Sequence, residues 1–448
     1  GVGGVSVFNA RLVAVTFALL SLGVIFEFTG KVFDKKTALL AVIFLSTMPG
    51  FIWVSRIALV ETMLIFFFSA TLVAFFFWIR TSKSWILALS GVLLGLGILA
   101  KYQTIIAFLI MVSSIFFLNR HQIRIRLSKL LFLILVSTII ILPWVLFAYQ
   151  TYSSGMLEQW IYAMNVGNPD KLVYSSRFAL PLFYLIEMAW PYGAVHPISI
   201  FTYCIGLLGL GLLFYRKRTE DKFLLTWFLV VYIFFTLIGN KQWRYVMPLF
   251  PVLSISAASL TMTTFSKIKV KSKNTQFPSY KKHLCKIVAA CFVGVIGFSI
   301  FYSCADAYTW VAKDYEYNLP IEQSAKYVAP RLEPDNSIVV LCSVNVFCPD
   351  IINFYVHSDI EYEVNILQYP DYPVDTFVAD FNVSELIQLC EQNDVEFLML
   401  FEYGEIFPYY QSALTQKQVH ATLIESQRFV NQTCFGNSPC RIFILSFN

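Results

Sequence analysis

The sequence predicts a polytopic α-helical membrane domain followed by an extracytoplasmic α/β domain. Three observations carry that expectation. Of 448 residues, 57% are hydrophobic and only 14% charged, and the apolar residues gather in runs near the length that crosses a bilayer. The charge divides along the chain. Residues 1–304 hold 27 Lys and Arg against 8 Asp and Glu, residues 305–448 hold 6 against 20, and the net +5 conceals the division. Third, most cations of the first part fall in alternate connections between apolar runs. The domains are therefore placed at 1–304 and 305–448.

Ten spans are expected, near 10–28, 37–54, 58–79, 85–100, 105–118, 130–149, 198–215, 223–238, 246–265 and 287–304. Several are short for a core of about 30 Å at 1.5 Å per residue. Lys31, Lys35 and Lys36 share one connection, and Arg80 and Lys83 the next on that side. Arg120, Arg124, Arg126 and Lys129 follow, then Arg216, Lys217, Arg218 and Lys222, then seven lysines between 267 and 286. By the positive-inside rule these connections face the cytoplasm, in a plasma membrane. Arg56, Lys101, Lys241 and the acidic C-terminal part then face outside, and so does the N-terminus. The chain starts at Gly1 with no basic stretch before the first apolar run, so no signal peptide is legible. An upstream span is expected to be missing.

The stretch 239–251, GNKQWRYVMPLFP, places Lys241 and Arg244 with Trp243 and Tyr245 between two apolar runs. So short a polar connection holds both cations in the headgroup layer, where a lipid phosphate also lies. A cation there is costly and marks a functional site; the alternative is a snorkelling anchor with a belt aromatic beside it. In 55–61 (SRIALVE), Arg56 precedes the third span and Glu61 stands within it, ahead of 18 uncharged residues. A helix-end role for Glu61 competes with a functional one. Lys101 ends the fourth span, where snorkelling is again the alternative.

Residues 150–197 form the longest external connection, with Glu158, Asp170, Lys171 and Arg177. Within it, 178–190 is apolar, holds Glu187, and reads as a re-entrant or surface helix. His196 stands alone, which favours a structural role over a metal. In the acidic part, 320–329, 349–355 and 384–391 read as helices, the last capped by Asn382 or Ser384. Residues 337–342, 395–401 and 441–446 read as strands, giving a small α/β domain. It has no dinucleotide glycine fingerprint. An external compartment permits disulfides, so Cys434–Cys440 and Cys342–Cys348 are expected and Cys390 is left free. Asn382 and Asn431 begin N-glycosylation triplets.

Cations at the headgroup layer suit a lipid phosphate, with Arg binding in a fork and Lys as a point charge. A neighbouring carboxylate suits a general base or a hydroxyl orienter. That chemistry is group transfer from a lipid-phosphate carrier to a hydroxyl or amine. No Walker loop or metal motif is present, and no cytosolic part is large enough to handle a nucleotide sugar. A transporter or an inert membrane scaffold are the rival readings; no inverted repeat supports the former. No nucleic-acid partner is expected.

The segments 55–61, 96–104 (LGILAKYQT), Trp190-Pro191 and 240–251 resemble the membrane core of the GT-C glycosyltransferases that use lipid-linked sugars, the protein O-mannosyltransferases and the aminoarabinose transferase of lipid A. The similarity covers about 1–265. It implies a polyprenyl-phosphate-linked sugar as donor, and a protein, lipid or glycan acceptor outside the membrane. It maps Arg56 and Glu61 beside the active cavity and lines that cavity with Lys241, Arg244 and Tyr245; Glu61 is taken as the candidate catalytic carboxylate, and Lys101 and Glu187 as further candidate substrate-binding residues. Glu61 stands where such proteins more often have Asp. The resemblance implies no specific metal or sugar. It also implies a first span and a loop with a catalytic Asp ahead of residue 1, so this chain is expected not to complete its own site. A WWDYG segment, the mark of oligosaccharyltransferases, is absent.

Overall fold

The computed structural model describes residues 6–118, 123–153, 155, 178–190, 196–273, 279–316, 320–341, 347–357, 360, 362, 364–369, 382–403, 416–437 and 440–448. It forms two compact units: Ala10–Gly167 with Lys171–Ala312, and Lys313–Asn448 with Gly1–Asn9 and Asn168–Asp170. The last long helix runs through 304 and 305 to Glu316.

The first unit is helical. Its helices are α1 (Val7–Val32), α2 (Lys35–Thr47), α3 (Pro49–Arg56), α4 (Glu61–Thr81), α5 (Ser84–Ala100), α6 (Ile106–Leu118) and α7 (Ile123–Tyr152). After a short helix, α8 (Phe183–Glu187), come α9 (Ile200–Arg216), α10 (Thr219–Leu237), α11 (Leu249–Lys273) and α12 (Ser279–Glu316). Each expected span falls on one of these helices, with one difference. The second run is broken into α2 and α3, which meet at 66°. Met48 is extended and Pro49 opens α3, where a proline lacks only an N–H that the first turn leaves unused.

Among the described residues, five helices are long and apolar enough to cross a membrane: Val7–Val32, Glu61–Thr81, Leu127–Tyr152, Leu249–Val270 and Lys286–Ala312; the bent α2–α3 pair makes a sixth. The protein is an integral membrane protein. Its helices differ in surroundings. On α4, Leu64, Ile65, Phe68, Leu72, Phe75 and Phe76 are fully buried. On α7 and α12, Leu131, Leu135, Ile139, Val293 and Phe298 are exposed, as lipid-facing side chains are. Helices pack closely where small residues permit it. A Cβ on Gly209 of α9 would fall onto the backbone of Ser256 in α11, so only glycine allows that approach.

One end of the bundle is tied by charged residues from connections that the sequence groups together. Asp34 caps α2, accepting from Lys36 N at 2.8 Å, Thr37 N at 3.0 Å and Thr37 Oγ1 at 2.6 Å. Arg80 after α4 meets Glu220 at the start of α10 at 2.9 Å. Arg216 grips Asp221 with two nitrogens, at 2.7 and 2.5 Å.

The second unit is an α/β domain. Its helices are α13 (Ile321–Val328), α14 (Pro349–Val356), α15 (Val383–Gln392) and α16 (Gln416–Glu425). The sheet comprises β1 (Ser337–Leu341), β2 (Asn365–Tyr369), β3 (Val395–Tyr403), β4 (Phe429–Asn437) and β5 (Cys440–Phe447), in the order β2-β1-β3-β5-β4. β1 runs parallel to β2 and β3, while β5 is antiparallel to β3 and β4. Strand alternation feeds two cores. Ile338, Val340, Phe397, Met399, Ile442 and Ile444 enter one, and Val339, Leu341, Leu398, Leu400, Phe443 and Leu445 the other. Near-continuous apolar strands result, as in a sheet covered on both faces. Asn382 caps α15 as expected, accepting from Ser384 N at 3.1 Å. β2, β4 and α16 were not anticipated.

The expected Cys434–Cys440 disulfide is overturned. The register sets Cys434 opposite Phe443 and Cys440 opposite Asn437. Three residues of about 3.4 Å each separate the two positions, beyond the roughly 7 Å of Cα separation that a disulfide spans. Cys342 lies outside the described residues, as do Glu158, Asp170, Lys171 and Arg177. Cys390 is a buried thiol on α15.

Candidate functional site

The site is assembled where three connections meet at the end of the bundle opposite the Arg80–Glu220 pair. Arg56 is the last residue of α3, and after a four-residue connection Glu61 opens α4. A carboxylate in a helix's first turn is favoured by the helix dipole, and Glu61 is only 3% exposed.

Lys101 follows α5 directly. The chain turns back there: Lys101 N donates to Gly97 O at 2.8 Å, and Thr104 Oγ1 donates to the same oxygen at 2.9 Å. The short 3-10 turn Tyr102–Ile105 leads into α6. A Cβ at Gly97 would stand 2.6 Å from Thr104 Cγ2 and 2.9 Å from Phe67 Cβ, so glycine is what lets the turn close. The turn aims the ammonium at the start of α4, and Lys101 Nζ lies 3.0 Å from Glu61 Oε1.

The third connection is the stretch after α10. Its 3-10 turn, Trp243–Val246, is held by an aromatic triad. Trp53 of α3 stacks on Trp310 of α12 at 5.3 Å, and Trp243 lies 5.9 Å from Trp53 and 5.6 Å from Trp310. Arg244 Nη1 reaches Glu61 Oε1 at 3.4 Å while Nη2 donates to Gln242 Oε1 at 3.1 Å. Asn240 Nδ2 donates to the Tyr245 hydroxyl at 3.3 Å. Lys241 behaves differently from Arg244. Its ammonium turns back onto Ile238 O at 2.6 Å, where a cation suits the C-terminal end of α10.

The helix α8 packs beside this turn, so the apolar segment around Glu187 is a helix that does not cross. Tyr184 and Glu187 are fully buried, and Tyr184 lies beside the Gln242 backbone, Tyr245 and Glu187. The Tyr232 hydroxyl of α10 donates to Pro181 O ahead of α8, and Ile198 N returns to Met188 O at 3.0 Å. His196 is not alone, as the sequence suggested. Its Nδ1 is 4.0 Å from Asp306 Oδ2 of α12, and its ring is 5.5 Å from that of Trp190.

Two cations therefore converge on one carboxylate oxygen. The other oxygen, Glu61 Oε2, is buried and accepts no hydrogen bond among the described residues. Burial lowers the Lys101 ammonium from its ordinary value, and Glu61 beside it opposes that shift. Burial raises the Tyr184 hydroxyl. Of the residues singled out by sequence, Glu61, Lys101 and Arg244 meet directly, Tyr245 adjoins them, Glu187 stands behind Tyr184, and Arg56 and Lys241 sit on the flanking helix ends. Sequence reasoning missed Tyr184, Asn240 and Gln242, although all three lie in segments it had marked. Among the described residues, no three His, Cys, Asp or Glu form a metal-binding group. Partly buried cations with a buried counter-charge are suited to receive an anionic headgroup.

Residues 1–147 match the family model described as dolichyl-phosphate-mannose-protein mannosyltransferase. Solved structures align over nearly the whole chain. ArnT from Cupriavidus metallidurans in the apo state gives a TM-score of 0.55 at 13% identity, covering 97% of this chain and 83% of that one. The fold is that of the GT-C glycosyltransferases. Other structures with the GT-C fold agree. ArnT bound to undecaprenyl phosphate gives 0.56 at 13% identity over 99% of this chain and 85% of that one. The archaeal oligosaccharyltransferase AglB from Archaeoglobus fulgidus, in complex with an inhibitory peptide and a dolichol-phosphate, gives 0.57 at 12% identity over 97% of this chain and 63% of that one. No curated protein sequence matches the chain.

Proposed function

We propose that this protein is a membrane glycosyltransferase that moves a sugar from a polyprenyl-phosphate donor to a protein, lipid or glycan acceptor outside the plasma membrane, with the α/β domain on the same outer side. The observation that carries the reading is the convergence of Lys101 Nζ and Arg244 Nη1 on Glu61 Oε1, at 3.0 and 3.4 Å, at the end of the bundle away from the basic connections. Two fixed cations at the membrane interface match the phosphate of a carrier lipid. The match of residues 1–147 to a mannosyltransferase family, and neighbours whose structures hold undecaprenyl phosphate or dolichol-phosphate, support the same donor class.

The donor phosphate lies against Lys101 and Arg244, with Lys241 and Arg56 on the flanks, Tyr245 beside the sugar and Glu187 behind Tyr184. A lone pair on the acceptor oxygen or nitrogen forms a bond to the anomeric carbon as the bond from that carbon to the phosphate oxygen breaks. The electron pair leaves on the phosphate, where the two cations take up the added charge. The acceptor proton leaves to solvent water, and Glu61, its second oxygen buried, holds the two cations in place.

Incubating the protein in liposomes with radiolabelled polyprenyl-phosphate hexose tests the reading. Label should leave the lipid for an acceptor, and polyprenyl phosphate should accumulate. Label carried across the bilayer with the donor intact would identify a transporter instead, and no change of either kind a scaffold.

A further inference from the structure

Glu61 is more than a carboxylate near a phosphate site. Its Oε1 lies against both Lys101 and Arg244, and its side chain is 4% exposed against 14% and 32% for theirs. The carboxylate is therefore the most deeply set of the three charges. It removes one unit of positive charge from a site built of two. Transfer changes the charge of the bound lipid. The donor is a phosphodiester with a single negative charge. The carrier left behind is a phosphomonoester, whose second ionisation lies near pH 6 and which carries close to two charges at neutral pH. Unopposed, Lys101 and Arg244 would hold that product far more tightly than the donor.

We infer that Glu61 is a built-in counter-anion, which lowers the site's preference for the doubly charged carrier phosphomonoester over the singly charged phosphodiester and so eases release of the carrier after transfer. The inference rests on the donor reading above. It makes Glu61 a positioning and charge-setting residue that keeps its charge through the transfer.

The test is binding to the full chain in nanodiscs, with two probes: polyprenyl phosphate and its methyl ester, a diester. Glu61→Gln keeps the hydrogen-bond acceptor and removes the charge. It should bind the monoester about tenfold more tightly, gain less for the diester, and shift the ratio of the two affinities towards the monoester. Glu61→Asp should restore the wild-type ratio. A merely structural role would weaken both lipids together and leave the ratio unchanged, which overturns the inference. Should Glu61→Gln fail to fold, the wild type decides. Taking the monoester from about pH 8 down through its second ionisation removes one of its charges and should weaken its binding by less than about tenfold; a larger loss overturns the inference. Lys101→Ala and Arg244→Ala separate the two levels. Loss of both lipids in these variants with an unmoved ratio in Glu61→Gln removes the counter-anion alone. Lipid binding unaffected by either cation removes the donor site itself.

Discussion

The Lys101 ammonium lies 3.0 Å from Glu61 Oε1, joining the C-terminal end of α5 to the first turn of α4. Both helix dipoles favour the pair. Burial also lowers the ammonium from its ordinary value. Carrier-phosphate affinity should therefore fall as pH rises through that lowered value, below the usual lysine range. Lys101→Arg should extend binding to higher pH, since guanidinium keeps its proton. Titrating polyprenyl phosphate against the protein between neutral and alkaline pH checks both.

Gly97 holds the turn that aims Lys101. Its added Cβ would press on Thr104 and Phe67. Gly97→Ala should cost about 1–3 kcal/mol of stability and reduce lipid binding, seen as a lower thermal midpoint in detergent together with a raised Kd. An unchanged Kd would show that Lys101 is positioned without this turn.

At the other end, Asp34 caps α2. Burial works against its carboxylate, but bonds from the Thr37 hydroxyl and from the Thr37 and Lys36 amides outweigh it and hold Asp34 below the usual carboxylate range. Its stabilisation is then present above the unfolded-state pKa and is lost as pH falls through the folded one. Asp34→Ala should cost about 1 kcal/mol near neutral pH, and the gap to wild type should close in acid. Thermal unfolding in detergent across pH measures it.

In the α/β domain, burial pushes the Cys390 thiol up to about 12. A thiolate is the reactive form, so Cys390 should resist a maleimide in the folded protein and react once the domain is unfolded. Peptide mapping by mass spectrometry before and after denaturation reads this directly.

The helices were legible because a bilayer demands long apolar runs, and the positions of Glu61, Lys101 and Arg244 were legible because charge is so costly beside them. Their meeting was not. Glu61 finds its partners 40 and 183 residues away, and no local pattern encodes that. Lys241 was chosen with Arg244 from one short motif, yet the chain turns its ammonium onto Ile238 O; spacing alone does not decide where a long side chain points. Cys434 and Cys440 failed for a related reason. Five intervening residues fit a closed loop as well as a hairpin, and only strand register distinguishes them. β2, with one buried residue in five, gave too weak an apolar signal to be recognised.

The most direct test is the affinity of polyprenyl phosphate for wild type and Arg244→Ala in nanodiscs, followed by tryptophan fluorescence from the triad around Trp243. Loss of a guanidinium that touches the phosphate should weaken binding about tenfold or more, with Arg244→Lys recovering it only in part. Equal affinity in wild type and Arg244→Ala would contradict a carrier-phosphate site at Lys101 and Arg244.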